Sequence, residues 1–315
     1  MSDTDYLAKT GAGSSPAKPD GSRGGRLRAA TWLPVLLLLL IMMILWASNL
    51  RRSYESPSLL VALNFTFSTL TSSLIAYLIG RSFMIRGTLG LLMLGCGVVI
   101  WGAAGVVAAG VGRGNANTIA TIHNCCVLLS ACCHLSGAAL ALRSDRSVRN
   151  RGLLLTTGYT LGLGAVGWVT LATVEGWTPL FFQPAQGGTP VRQLILGLAI
   201  GMFALTAALL VLIHRRSPSS FARWYSLALA LIAVGLGGVM FEPAFGSPLS
   251  WAGRTAQYLG GVYMLVAAVA SVRELRAWEV LLEVALQEER EQLRQSESRY
   301  RTLIETIPDA VIVYR

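Results

Sequence analysis

Residues 251–290 read WAGRTAQYLGGVYMLVAAVASVRELRAWEVLLEVALQEER. The part up to Val272 is apolar and long enough, at about 1.5 Å per residue, to cross about 30 Å of hydrocarbon. Beyond Arg273 the stretch is densely charged, and no Gly or Pro interrupts it. A helix that crosses a membrane and runs on into water satisfies both halves. Seven further apolar runs lie upstream, near 31–49, 57–80, 87–111, 116–142, 152–174, 191–213 and 221–242. With 251–272 they predict an all-α polytopic membrane bundle of eight transmembrane helices over residues 31–272.

Composition agrees. Of 315 residues, 53% are hydrophobic and 13% charged, about half the charged share of a soluble domain. That leaves too little polar surface to cover a globule in water. The net charge of +10 does not point to nucleic acid, because the basic residues sit in short clusters between apolar runs. With the amino terminus inside, sixteen Lys and Arg fall on inside segments. Only Arg51, Arg52, Arg113, Arg192 and Arg254 fall outside. This alternation follows the positive-inside rule and predicts an inner-membrane protein with both termini cytoplasmic. Residues 1–30, rich in Gly, Ser, Pro and Lys, read as a disordered cytoplasmic tail, and the first span as a retained signal anchor. Cys96, Cys125, Cys126, Cys132 and Cys133 all lie in apolar runs, so no disulfide-stapled exterior is expected.

Small residues recur at close-packing spacing, as at Gly158/Gly162 and Gly197/Gly201, the usual device for helix association in lipid. Residues 273–300 predict a cytoplasmic signalling helix. Val272, Glu279, Leu286, Leu293 and Tyr300 fall at one heptad position and Leu275, Leu282, Glu289, Ser296 and Leu303 at the other. Seven of these ten are apolar, which favours a homodimeric coiled coil through residues 272–303 over a lone amphipathic helix. Pro308 and Asp309 then supply a turn, and Val311–Tyr314 suits a strand.

The stretch SESRYRTLIETIPDAVIVYR resembles the entry to a PAS domain, through Ser296, Glu297, Tyr300, Arg301, Pro308 and Asp309. Residues 301–315 would then be the start of an incomplete PAS domain, ending in its first strand. The membrane part resembles the multi-pass amino-terminal region of PAS-containing sensor histidine kinases, in TIHNCCVLLSACCHL, TPVRQLILGLAIGMF and LSWAGRTAQYLGGVYML. The resemblance implies a sensory input module, with the phospho-accepting His and ATP-binding domain outside this sequence and a response regulator as partner. A cyclase would be the other output. No nucleotide-binding loop, Ser-His-Asp set or paired-carboxylate site is present.

The fourth run carries His123, Cys126, Ser130, Cys133 and His134. At about 100° per residue the two histidines lie three turns apart on nearly one azimuth, with the others on or near that face. Three readings stand: hydrogen-bonded structural histidines with Cys as apolar filler, a haem or copper site, or a proton- or redox-sensitive switch. The histidines are about 16 Å apart along the axis, so one ion could not bridge them. A second cluster is expected at the outer face, from Arg192, Glu242, Arg254, Gln257 and Tyr258. There Glu242 faces Arg254 across a short loop, where an exposed pair contributes about 0–1 kcal/mol. Arg192 and Arg254 with Trp177, Phe181, Phe182 and Trp251 would line a pocket for an anionic or amphipathic ligand, unless the aromatics are interfacial anchors. A transporter or channel, or a haem- or copper-bearing redox protein with a regulatory tail, are the alternatives to a sensor.

Overall fold

The computed structural model describes residues 31–54, 56–112, 115–143, 147–183 and 187–305. The expected tail over residues 1–30 and the turn and strand after Glu305 lie outside the described residues. Helix α1 spans Leu33–Ser48. Pro57–Leu63, a π-helical turn at Asn64–Leu70 and Thr71–Arg86 run on as one helix, α2. Then come α3 (Leu89–Gly112), α4 (Ala116–Arg143), α5 (Arg151–Val174), α6 (Pro190–Arg216), α7 (Ser220–Met240) and α8 (Pro248–Glu305).

Seven of these, α2 to α8, are long and apolar enough to cross a membrane. The chain is a multi-pass membrane protein with an all-α body. The first expected span is a shorter apolar helix of 16 residues, about 24 Å long. The sequence did not foretell the short antiparallel hairpin between α5 and α6, where β1 (Phe182–Gln183) pairs with β2 (Gly187–Gly188).

Helix ends follow local chemistry. Gly87 adopts φ +71° and terminates α2, a conformation glycine takes at little cost. Arg151 covers the freed carbonyls, donating from Nη1 to Met84 O (2.8 Å) and Ile85 O (2.6 Å). At α6, Pro190 occupies the first turn and Thr189 Oγ1 accepts from the Arg192 backbone N–H at 3.5 Å.

Six helices close a ring in the order α2, α3, α4, α6, α7, α8 and back to α2. Helix α5 packs outside on α3, and α1 outside on α7 and α8. The ring interior is filled by Ile75, Val98, Val127, Phe203, Leu229 and Met264 among others. Gly235 and Gly253 let α7 and α8 touch backbone to backbone: a methyl on Gly253 would lie 2.6 Å from the Gly235 carbonyl oxygen. Of the two glycine pairs, Gly158 and Gly162 face Cys96 and Ile100 of α3, whereas Gly197 and Gly201 have open space beside them. The heptad positions Leu293 and Tyr300 are exposed on the single chain.

Candidate functional site

The fourth-span stripe does not converge. His134 is fully buried, with Nδ1 2.7 Å from the Ser130 carbonyl oxygen and Nε2 2.9 Å from the Tyr225 hydroxyl. A carbonyl only accepts, so Nδ1 carries the proton and Nε2 receives the Tyr225 O–H. Ser130 Oγ donates to Gly97 O at 2.7 Å. Gly97 is the space the imidazole fills, since a Cβ there would collide with His134 Nδ1. Cys126 is buried among Ile100, Ala104 and Val166, and Cys133 packs beside Phe83, Leu92 and Cys96. Cys132 donates weakly to Met202 Sδ at 3.7 Å. Among the described residues, no three of His, Cys, Asp and Glu come together as a metal site requires. His134 spends both nitrogens on protein partners, so neither is free to ligate haem or copper.

His123 parts company with the rest. It turns to the end of the ring where α8 begins and lines a cavity of about 50 Å³. The outer-face cluster meets it there. Arg192 of α6, with Arg254, Gln257 and Tyr258 of α8, lines the same cavity, and α2, α3 and α7 complete the wall. Every helix of the ring contributes.

Arg192 is the centre of this end. It is 1% exposed, and its Nη2 donates to Glu242 Oε1 at 2.6 Å and to Val239 O at 3.0 Å. The expected Glu242–Arg254 hairpin pin is therefore replaced by a buried pair between α6 and the end of α7. In chain order Arg254 is closer to Glu242, but ring packing sets Arg192 against it. Arg254 instead lies over the Phe245 and Trp251 rings, 5.2 Å from each centroid. Phe181 and Phe182 are buried, their backbone N–H groups donating to Asn117 Oδ1 at 2.8 and 3.0 Å, and the Arg192 guanidinium stands 5.3 Å from the Phe182 ring. The hairpin thus roofs Arg192. Trp177 is exposed and packs on Trp168, outside this site.

Two asparagines escaped the sequence reading. Asn64 opens the π-helical turn; its Oδ1 accepts from the Tyr258 hydroxyl at 2.8 Å and its Nδ2 donates to Gly105 O at 3.3 Å. Such turns often mark functional positions. Asn124 follows His123 and is 1% exposed. Both are amides within apolar runs, a signal visible in sequence. Among the described residues, Asn124 Nδ2, Arg192 Nε and Nη1, Gln257 Nε2 and Glu242 Oε2 are buried without a hydrogen-bond partner. Buried polar atoms are usually paired, so four partnerless donor nitrogens around one cavity make it the candidate site. Comparison of the chain with family models, curated proteins and solved structures finds no match.

Proposed function

We propose that this chain is the membrane-embedded sensory input module of a signal-transduction protein. The observation that carries this reading is helix α8. Arg254, Gln257 and Tyr258 in its first turns line the axial cavity, and the same helix continues without a break to Glu305. A change at the cavity has a direct mechanical path out of the membrane. Where α8 leaves the bundle, Glu274 Oε1 accepts from the Ser220 backbone N–H at 2.9 Å and ties it to the start of α7.

In this reading α1 is an eighth span, with both termini cytoplasmic and the cavity on the outer side of the inner membrane. Its exposed face of Leu36, Leu40, Met43 and Ile44 suits lipid, and its shortfall against about 30 Å of hydrocarbon is one that bilayers accommodate. Residues 272–303 pair with a second copy as a coiled coil, and the PAS-like residues pass the signal to a histidine kinase and its response regulator. The test is insertion of two alanines between residues 287 and 295 in the protein its gene encodes. The insertion turns everything beyond it by about 200°. Output, read as autophosphorylation, is expected to lock on or off. Unaltered output would refute the relay.

A further inference from the structure

We infer that a crevice in the side of the bundle seats one two-tailed glycerophospholipid as a bound ligand, its tails between α1 and α6 and its phosphate at the loop after α1. This goes beyond the input-module reading and does not rest on it. The crevice has a volume of about 550 Å³, within the range of ligand-sized cavities. Met42 and Trp46 of α1 form one wall and Ala204 of α6 the other, with Gly237 of α7 as the floor and Phe241 and Leu249 at one end. The lining is aliphatic, thioether and aromatic throughout, so its match is hydrocarbon. A Cβ on Gly237 would meet nothing within 4 Å, which leaves the floor open to an occupant.

Depth and volume select two tails. The lining runs from Leu39 to Trp46 on α1 and from Ala233 to Phe241 on α7, about 10–12 Å along each axis. That is most of the half-thickness of about 15 Å that one leaflet supplies. An extended alkyl chain advances a little over 1 Å per carbon, so about nine carbons reach the bottom. A methylene fills nearly the room of a liquid water, about 30 Å³, so the volume takes about 18 of them. Two tails side by side fit, and one would leave about half the space empty. The crevice is continuous with the exposed apolar faces of both walls, Leu36 and Leu40 on α1 and Leu198 and Leu205 on α6.

The end beside the α7–α8 turn carries complementary charge. There the Trp46 and Phe241 rings meet at a centroid separation of 6.4 Å, an aromatic pair of the kind that favours headgroup depth. Just beyond Trp46 come Arg51 and Arg52, both exposed. Ser53 Oγ donates to Phe245 O at 2.9 Å and the Tyr54 backbone N–H to Gly246 O at 3.0 Å. These bonds fasten the arginine loop to the turn whose flanks, Phe241 and Leu249, line the crevice. In sequence the loop sets two arginines against Glu55, a net positive charge that matches a lipid phosphate.

The test titrates the full chain in mild detergent with dioleoyl phosphatidylglycerol and counts bound lipid by native mass spectrometry. One lipid per chain is expected to bind saturably, with the single-tailed lysophosphatidylglycerol about tenfold weaker. Gly237→Leu and Ala204→Phe each fill the crevice from a position that has room for the added atoms. Both should unfold cooperatively and lower lipid occupancy about tenfold. Arg51→Gln/Arg52→Gln should keep the lipid but lose the preference for phosphatidylglycerol over phosphatidylcholine with the same tails. Lipids that add without saturation and equally to the filled variants would be annular and would overturn the proposal. Equal binding of the one-tailed and two-tailed lipids, or an unaltered headgroup preference in the arginine variant, would do the same. A dimer in place of the lipid adduct, abolished by Gly237→Leu, would assign the crevice to a second copy and overturn it too.

Discussion

The Tyr225 hydroxyl meets His134 Nε2 at 2.9 Å, with the two rings stacked at a centroid separation of 5.9 Å and no solvent at either side chain. This contact joins α4 to α7 through the middle of the ring. Tyr225→Phe keeps the stacking and strands Nε2, and should cost about 1–3 kcal/mol. A double-mutant cycle with His134→Leu, followed by thermal unfolding in detergent, is expected to give a coupling energy of about 0.5–3 kcal/mol. A coupling near zero would mean the two side chains do not depend on each other.

The Arg192–Glu242 pair predicts an asymmetry. Arg192→Met alone leaves a buried carboxylate without its partner and should destabilise by about 3–5 kcal/mol. Adding Glu242→Leu should recover most of the loss, because two apolar side chains of similar volume need no solvation. Unfolding midpoints of the single and double variants decide the matter, and a double variant no better than the single would contradict it.

Asn64 holds α2 to both α3 and α8, through Gly105 O and the Tyr258 hydroxyl. Asn64→Ala should cost about 1–3 kcal/mol by leaving the Tyr258 hydroxyl inside the wall without its acceptor. Tyr258→Phe in the same background should then cost little more, since the hydroxyl has already lost its partner. Stability measurements on the three variants test the pairing.

The proposed topology makes opposite predictions for two exposed positions. A cysteine at Trp177 should react with a membrane-impermeant maleimide on intact cells, and one at Ser298 only after the cells are opened. The five native cysteines lie within membrane helices and should contribute little background. Labelling of both from the same side would require an even number of crossings between them and so displace at least one span.

Hydropathy made the membrane helices legible, because each apolar run must be long enough to satisfy its own backbone inside lipid. Arg192, Arg254, Gln257 and Tyr258 were legible as a group because each is a polar interruption near the end of such a run. The partner of Glu242 was not, since chain proximity favoured Arg254 while the order of helices around the ring decided for Arg192. The His123-to-His134 stripe shares an azimuth but not an environment. A helical wheel records azimuth only, and along three turns α4 meets different neighbours: the cavity at His123, an apolar cluster at Cys126, and Gly97 and Tyr225 at Ser130 and His134. The part played by Asn64 went unseen because it depends on the π-helical turn, which shifts the register of α2 where the residue enters the wall.

Helix α8 divides into two nearly equal arms. Its 58 residues span about 87 Å, of which the 27 up to Glu274 occupy about 40 Å and the remainder about 46 Å. With the Ser220–Glu274 contact as fulcrum, a sideways shift of 1 Å at Arg254, about 30 Å from it, becomes a swing of roughly 1.5 Å in the opposite direction at Glu305, about 46 Å away on the other side. In the proposed relay the helix is a lever that enlarges what happens at its buried end by about half. Whatever reads its far tip must therefore resolve displacements on the scale of a single side-chain contact.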